Sequence, residues 1–222
     1  MAILDQPAPP LDVDRWVQGS PQRIGQNRGR VILIEVFQVN CPGCFLRGLP
    51  ETIDIFLQSK DKPLVVWGLA TAFEDYRLNS LSNLEKLLET GEVVGETFHH
   101  LAERDFLNNG RLPYAVPFPV AWDKIAPRHG EIRDGEIEAL LARDFPQFDE
   151  LSENHRHGMR QQVTAYLKKK EYDAVTFDAY QLKGTPSSIL IDKQGILRHK
   201  VFGSGQELAD LVDQLLNEPF PG

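Results

Sequence analysis

The two cysteines of this chain, Cys41 and Cys44, stand three positions apart directly after an apolar run, Val31–Phe37. The run is typical of a buried β-strand, and one acid, Glu35, is embedded in it. Apolar residues follow at helical spacing over 45–58, which places the cysteines at the junction of a strand and a helix. This spacing brings both sulfur atoms within bonding reach across one turn. The unpaired N–H groups of a helix N-terminus favour a thiolate over a thiol. The pattern therefore predicts a redox-active cysteine pair.

Composition excludes several other classes of protein. The chain has 222 residues, 41% of them hydrophobic and 25% charged, which are ordinary globular values. A net charge of −8 argues against nucleic-acid and anionic-membrane partners, since both require a basic face. No apolar stretch approaches the roughly 20 residues needed to cross a bilayer, so no membrane span is expected. The sequence shows no basic leader and no apolar signal segment. Two cysteines also cannot form the disulfide framework of a small secreted domain. We therefore expect a cytoplasmic protein, with the periplasm as the open alternative.

Apolar periodicity predicts the remaining elements of the first half of the chain. A short edge strand or turn is expected around 13–17, and Pro50 should kink the helix that follows the cysteines. The further predicted elements are a buried strand at 63–70, a helix at 80–89 with Ser82 as N-cap and Gly91 as stop, a helix at 95–107 and a strand at 117–123.

The second half of the chain begins with a different kind of segment. Residues 125–178 are rich in charge and carry helical patterns at 135–143 and 156–170, which predicts a helical insertion within a single domain spanning 1–222. A β-hairpin signature follows, with strands at 187–192 and 196–202, and an amphipathic helix covers 206–217. The resulting order predicts an α/β fold, with a central mixed sheet flanked by helices.

Three features together resemble the thioredoxin-like superfamily. They are the strand, Cys-x-x-Cys and kinked helix; the acid Glu35, six residues before Cys41; and Gly184-Thr185-Pro186 directly before the hairpin. The last of these is similar to the cis-proline loop of that superfamily. Its continuation through Ile191-Asp192 and Gly195, with Phe118-Pro119-Val120-Ala121-Trp122-Asp123 and the lead-in Pro7-Ala8-Pro9, resembles the TlpA-like, redoxin-type branch.

The sequence departs from the pattern of this family at three places. Asn40 stands where a tryptophan usually precedes the first cysteine. Pro50 lies six residues after Cys44 instead of five, and Gly48 is a candidate for a bulge that absorbs the extra residue. Arg47 occupies a position where TlpA-like members often carry an acid.

The resemblance implies a thiol–disulfide oxidoreductase that exchanges a Cys41–Cys44 dithiol or disulfide with a protein partner and is served by an upstream electron donor. Cys41 would attack and Cys44 would resolve the mixed disulfide. Burial should raise the pKa of Glu35, which would take the proton of Cys44. Substrate binding is predicted for Thr185 and Pro186, which would pair with an extended peptide, and for the two residues between the cysteines, Pro42 and Gly43.

Two other hypotheses remain open. The chain could be a non-enzymatic binding module or redox switch of the same fold, with the insertion recognising one partner. It could also be a peroxiredoxin-like peroxidase, but that activity requires a Pro-x-x-x-Thr/Ser-x-x-Cys loop. The corresponding positions before Cys41 are Gln38 and Ile34, which argues against it.

No metal or other cofactor is expected. A zinc site would need two ligands beyond the cysteines, and the sequence has no second Cys pair and no His-x₃-His motif. The histidine pairs, His99 with His100 and His155 with His157, lie in charged helical stretches and are interpreted as solvated.

Overall fold

A computed structural model describes residues 2–128, 131–205 and 207–220. The chain divides into two compact units. Unit 1 contains the described residues up to Lys124 and from Ala174 onward, and unit 2 is Ile125–Asp173.

The helices and strands are distributed over both units. The strands are β1 (Val13–Gln18), β2 (Val31–Phe37), β3 (Leu64–Ala70), β4 (Val120–Asp123), β5 (Ile125–Pro127), β6 (Tyr172–Ala174), β7 (Ser187–Ile191) and β8 (Leu197–Phe202). The α-helices are α1 (Leu49–Gln58), α2 (Leu81–Thr90), α3 (Gly95–Ala102), α4 (Glu136–Asp144), α5 (Glu153–Lys169), α6 (Val175–Ala179) and α7 (Glu207–Asn217). A π-helical turn, Cys44–Gly48, leads directly into α1.

Within the described residues of unit 1, six strands form one mixed sheet in the order β1-β4-β3-β2-β7-β8. The strands β2, β3 and β4 run parallel, whereas β2 is antiparallel to β7, and β7 to β8. Every residue of β2 is buried, as expected for a central strand covered on both faces. The predicted α/β fold with a central mixed sheet is confirmed. In this fold the cysteines follow shortly after the C-terminal end of the central strand β2.

Most predicted elements of unit 1 are present, with shifted ends. The strand Val31–Phe37 has the predicted bounds. Ser80, not Ser82, caps α2, because the Ser80 hydroxyl accepts the N–H of Asn83, and Gly91 ends this helix in the left-handed conformation. The predicted helix 95–107 ends at Ala102, and the predicted strand 117–123 begins only at Val120. The predicted C-terminal helix corresponds to α7, and its expected first residue, Gln206, lies outside the described residues.

The N-terminal arm runs along the beginning of β8, the edge strand of the sheet. The N–H of Asp5 donates to the carbonyl of Leu197, and the N–H of Leu197 donates to the carbonyl of Gln6, at 2.8 and 2.9 Å. The N–H of Ala8 donates to the carbonyl of Gly195. The arm thus satisfies backbone groups that an uncovered edge would expose to other chains.

Unit 2 carries α4 and α5 together with the short pair β5 and β6. The Arg128 guanidinium is buried between carboxylates, donating to Glu136 at 2.7 Å and to Asp173 at 3.0 Å. Among the described residues of unit 2, the buried apolar side chains are Leu141, Phe148 and Leu167. The predicted helices 135–143 and 156–170 correspond to α4 and α5, while the β5–β6 pair was not predicted.

Candidate active site

Cys41 and Cys44 are joined by a disulfide, with their Cα atoms 5.4 Å apart. Cys44 is fully buried, whereas Cys41 is partly exposed. Pro42 follows as the first helical residue, a position that suits its fixed φ and missing N–H. The N–H of Cys44 points at the Sγ of Cys41 at 3.3 Å, and such a donor stabilises negative charge on that sulfur. Cys41 is therefore the sulfur that a partner can reach.

The loop before β7 lies against the cysteine turn. The Sγ atom of Cys41 is 3.5 Å from the carbonyl oxygen of Thr185, and the Thr185–Pro186 peptide bond is cis. A Cβ atom added at Gly43 would lie 3.7 Å from Cδ of Pro186, which is ordinary van der Waals contact. The structure thus brings Cys41, Gly43, Thr185 and Pro186 together, while Pro42 is half-buried on the same turn.

Glu35 is a fully buried carboxyl group in the strand that leads to the cysteines. Its Oε2 atom accepts hydrogen bonds from the hydroxyls of Ser188 at 2.8 Å and Thr52 at 3.2 Å. Its Oε1 atom has no hydrogen-bond partner among the described residues. Burial raises the pKa of Glu35 to about 8, although the two hydroxyls act in the opposite direction. A carboxyl group of this pKa can accept and release a proton near neutral pH.

Several solved structures share this fold. A thioredoxin-like superfamily protein aligns with 97% of this chain and 99% of its own, at 25% identity and a TM-score of 0.60. The chain belongs to the thioredoxin-like superfamily. A thiol-disulfide isomerase from Corynebacterium glutamicum aligns with 94% of this thioredoxin-like protein and 95% of its own chain, at 25% identity and a TM-score of 0.57.

A third solved structure, a thioredoxin-like protein in the oxidised form, shares the fold at 17% identity and a TM-score of 0.52, covering 96% of this chain and 95% of its own. No protein-family profile matches the sequence, and no curated protein matches it. The structural neighbours and the bonded Cys41–Cys44 pair support a redox function, consistent with the predicted resemblance.

The extra residue between Cys44 and Pro50 is accommodated by the π-turn, Cys44–Gly48, in which the N–H of Leu49 reaches the carbonyl of Cys44. Tyr114 donates its hydroxyl to the Phe45 carbonyl of this turn at 2.7 Å. Gly48 ends the turn against the acid. A Cβ atom at Gly48 would overlap Oε1 of Glu35 and lie 2.6 Å from Cβ of Pro186. The absence of a side chain at Gly48 lets the turn approach both groups.

Asn40, in the place of the usual tryptophan, is a hydrogen-bonding centre. Its Oδ1 atom accepts the N–H of Glu96 at 2.8 Å, and its Nδ2 atom donates to Asp75 at 3.2 Å. Its own N–H donates to Oδ1 of Asn79 at 2.7 Å. The N–H of Thr97 also reaches Oδ1, so the side-chain amide has three partners and the backbone N–H has a fourth, and this buried residue is held by polar contacts.

Other candidate features do not assemble into a site. Among the described residues, no group of three or more His, Cys, Asp or Glu side chains is placed to hold a metal ion. The ring nitrogens of His155 and His157 lie within hydrogen-bond distance of Ser152 and Gln161. Arg47 is exposed. Within the described ranges, no helix combines the length and the apolar character of a membrane span.

Sequence reasoning missed Ser188, Thr52 and Tyr114. Ser188 could have been found by aligning the hairpin strand with β2, because the register pairs it directly with Glu35. Thr52 lies one helical turn beyond Gly48, on the side of α1 that faces the acid. Tyr114 lies in an irregular segment, where no periodic pattern indicates its contact with the π-turn.

Proposed function

We propose that this protein is a thiol–disulfide oxidoreductase that exchanges electrons with a protein partner through Cys41 and Cys44. The observation that carries the proposal is the asymmetry of the pair. Cys41 is partly exposed beside the backbone of Thr185, whereas Cys44 is fully buried. An accessible attacking sulfur and a sheltered resolving sulfur are what exchange through a mixed disulfide requires.

The proposed reduction of a partner begins with the Cys41 thiolate. It attacks one sulfur of the partner disulfide, and the other partner sulfur leaves with the electron pair of the broken bond and takes a proton from solvent. Cys44 then gives its thiol proton to Glu35, and its thiolate attacks Sγ of Cys41. The second partner sulfur leaves as a thiolate, and the Cys41–Cys44 disulfide remains. The partner has gained two electrons, and an upstream dithiol donor would return the protein to its reduced form.

Substrate binding is proposed at the surface formed by Pro42, Gly43, Thr185 and Pro186. Backbone groups of Thr185 lie next to the reactive sulfur, so an extended peptide that pairs with them would present its own cysteine to Cys41. The net charge of −8 favours partners without an excess of negative charge. A cytoplasmic location remains a prediction.

Reduction of insulin by dithiothreitol tests this function. We expect the wild-type protein to accelerate the reaction, Cys41→Ser to abolish the acceleration, and Cys44→Ser to accumulate a mixed disulfide that non-reducing electrophoresis detects. Wild-type protein without any acceleration, with both thiols titratable, would favour the binding module. Consumption of hydrogen peroxide faster than that of insulin disulfide, in a coupled assay, would favour the peroxidase.

A further inference from the structure

Two hydroxyl groups from distant parts of the chain converge on one oxygen of Glu35. Ser188 stands directly opposite Glu35 in the β2–β7 ladder, and Thr52 lies in the first turns of α1. Both donate to Oε2, at 2.8 and 3.2 Å, and both residues are buried. Since donors fixed to a strand and to a helix hold the same atom, the carboxyl plane has little freedom to rotate.

The other oxygen of Glu35 faces the turn that carries the buried cysteine. Oε1 has no hydrogen-bond partner among the described residues, and a Cβ atom at Gly48 would overlap it. Gly48 is the last residue of the π-turn that begins at Cys44. A buried carboxyl oxygen without a hydrogen-bond partner is costly, and such an atom beside the cysteine turn is consistent with a function.

We propose that Ser188 and Thr52 are positioning residues that hold Oε2 of Glu35 and thereby make Oε1 the atom that accepts the proton of Cys44. This inference rests on the proposed oxidoreductase function. In that step the S–H bond of Cys44 breaks and an O–H bond forms at Oε1. The electron pair stays on the Cys44 sulfur, which attacks Sγ of Cys41, and the bond between Cys41 and the partner sulfur breaks with its pair leaving on the partner.

The surroundings of Glu35 leave the two hydroxyls as its main polar partners. In the sheet, Glu35 is paired with Gly68 of β3 and with Ser188 of β7, and neither residue carries a charge. The charged group acting on it among the described residues is Glu51 of α1, which raises the pKa of Glu35 further. The hydroxyl donors lower that pKa, so removing either of them should leave less carboxylate at neutral pH.

The test compares Ser188→Ala and Thr52→Val with Ser188→Thr and Thr52→Ser, which keep a hydroxyl, and with Ser59→Ala as a control that removes a buried hydroxyl elsewhere. Two quantities are measured on the full chain. One is the titration of Glu35 in the oxidised protein, followed by carbon-13 NMR of its carboxyl group. The other is the rate at which a mixed disulfide on Cys41 is resolved, as a function of pH.

We expect Ser188→Ala and Thr52→Val to move the Glu35 midpoint upward and to slow resolution at pH 7 about 10-fold, the effect of losing one hydrogen bond to a charged group. The hydroxyl-retaining variants should restore both readouts. An unchanged Glu35 titration in Ser188→Ala and Thr52→Val, with only a loss of stability like that of Ser59→Ala, would overturn the positioning role. Wild-type resolution rates in Glu35→Gln, with the titration still shifted in Ser188→Ala, would instead overturn the proton transfer itself.

Discussion

The side-chain oxygen of Asn40 accepts a hydrogen bond from the backbone N–H of Glu96, 56 positions further along the chain. It also receives the N–H of Thr97 at 3.4 Å, while the Thr97 hydroxyl donates to the carbonyl of Val39 at 3.0 Å. The residue before the first cysteine therefore caps α3, as an N-cap side chain does, although it is remote in sequence. In this protein the residue that directly precedes Cys41 is held by a helix cap.

Asn40→Ala should destabilise unit 1 by about 1 kcal/mol, the usual cost of losing a helix cap. The three tryptophans, Trp16, Trp67 and Trp122, all lie in unit 1, so urea unfolding followed by their fluorescence measures this change. Asn217→Ala, at the exposed end of α7, is the control. Equal free energies of unfolding for the two variants would contradict the capping role.

Gly48→Ala should be more damaging. The added methyl group meets Oε1 of Glu35, a residue of β2, and Cβ of Pro186, which directly precedes β7, and relieving such an overlap costs about 1 to 3 kcal/mol. Gly25→Ala is the matched control, because an added Cβ there meets nothing within 4 Å. The same urea experiment compares them, and a Gly48→Ala protein as stable as Gly25→Ala would show that the turn can move away from the acid.

The stability of the oxidised protein should depend on pH through Glu35. Burial raises its pKa from 4.5 to about 8, so the folded state binds this proton more tightly than the unfolded state does. The free energy of unfolding should therefore fall as the pH rises from about 4.5 to about 8 and then level off, by about 5 kcal/mol in all.

Glu35→Gln removes this ionisation. The free energy of unfolding of Glu35→Gln minus that of the wild type should be larger at pH 9 than at pH 5. Urea unfolding at both pH values measures this difference. Glu89→Gln, on the exposed side of α2, serves as the control. If Glu35→Gln and the wild type lose the same stability between these pH values, the buried acid is not the titrating group.

Unit 2 should be removable. The residues of unit 1 that precede and follow it in the chain are hydrogen-bonded to one another. The N–H of Val175 donates to the carbonyl of Lys124 at 2.9 Å, and Asp123 accepts the N–H groups of Thr176 and Phe177. Replacing residues 125–173 with a short Gly-Ser linker should leave a folded protein, since the proposed active-site residues all lie in unit 1. Cooperative unfolding by tryptophan fluorescence and insulin reduction within about twofold of wild type are expected. A deletion protein without a cooperative transition would show that unit 2 is needed for folding.

The sequence predicted what depends on local pattern. The strand Val31–Phe37, the helix after the cysteines and the hairpin each carry their own periodicity, and the superfamily resemblance joined them into one fold. The partners of Glu35 were not predictable in this way, because they depend on register between strands far apart in the chain. The same holds for Asn40, whose helix cap pairs a loop residue with a helix whose start shows no cap of its own. The short pair β5 and β6 is too short for periodicity to indicate it.

Glu35 and Ser188 are 153 positions apart in the sequence, and the whole of unit 2 is encoded between them. During synthesis β2 and β3 leave the ribosome with the cysteines long before β7 exists, and contacts of such separation close late because loop closure must come first. A nascent chain can thus expose both thiols while lacking the hydroxyl that holds the acid and the loop that lies beside Cys41. The sheet order delays completion of the exchange centre until the C-terminal hairpin has been made.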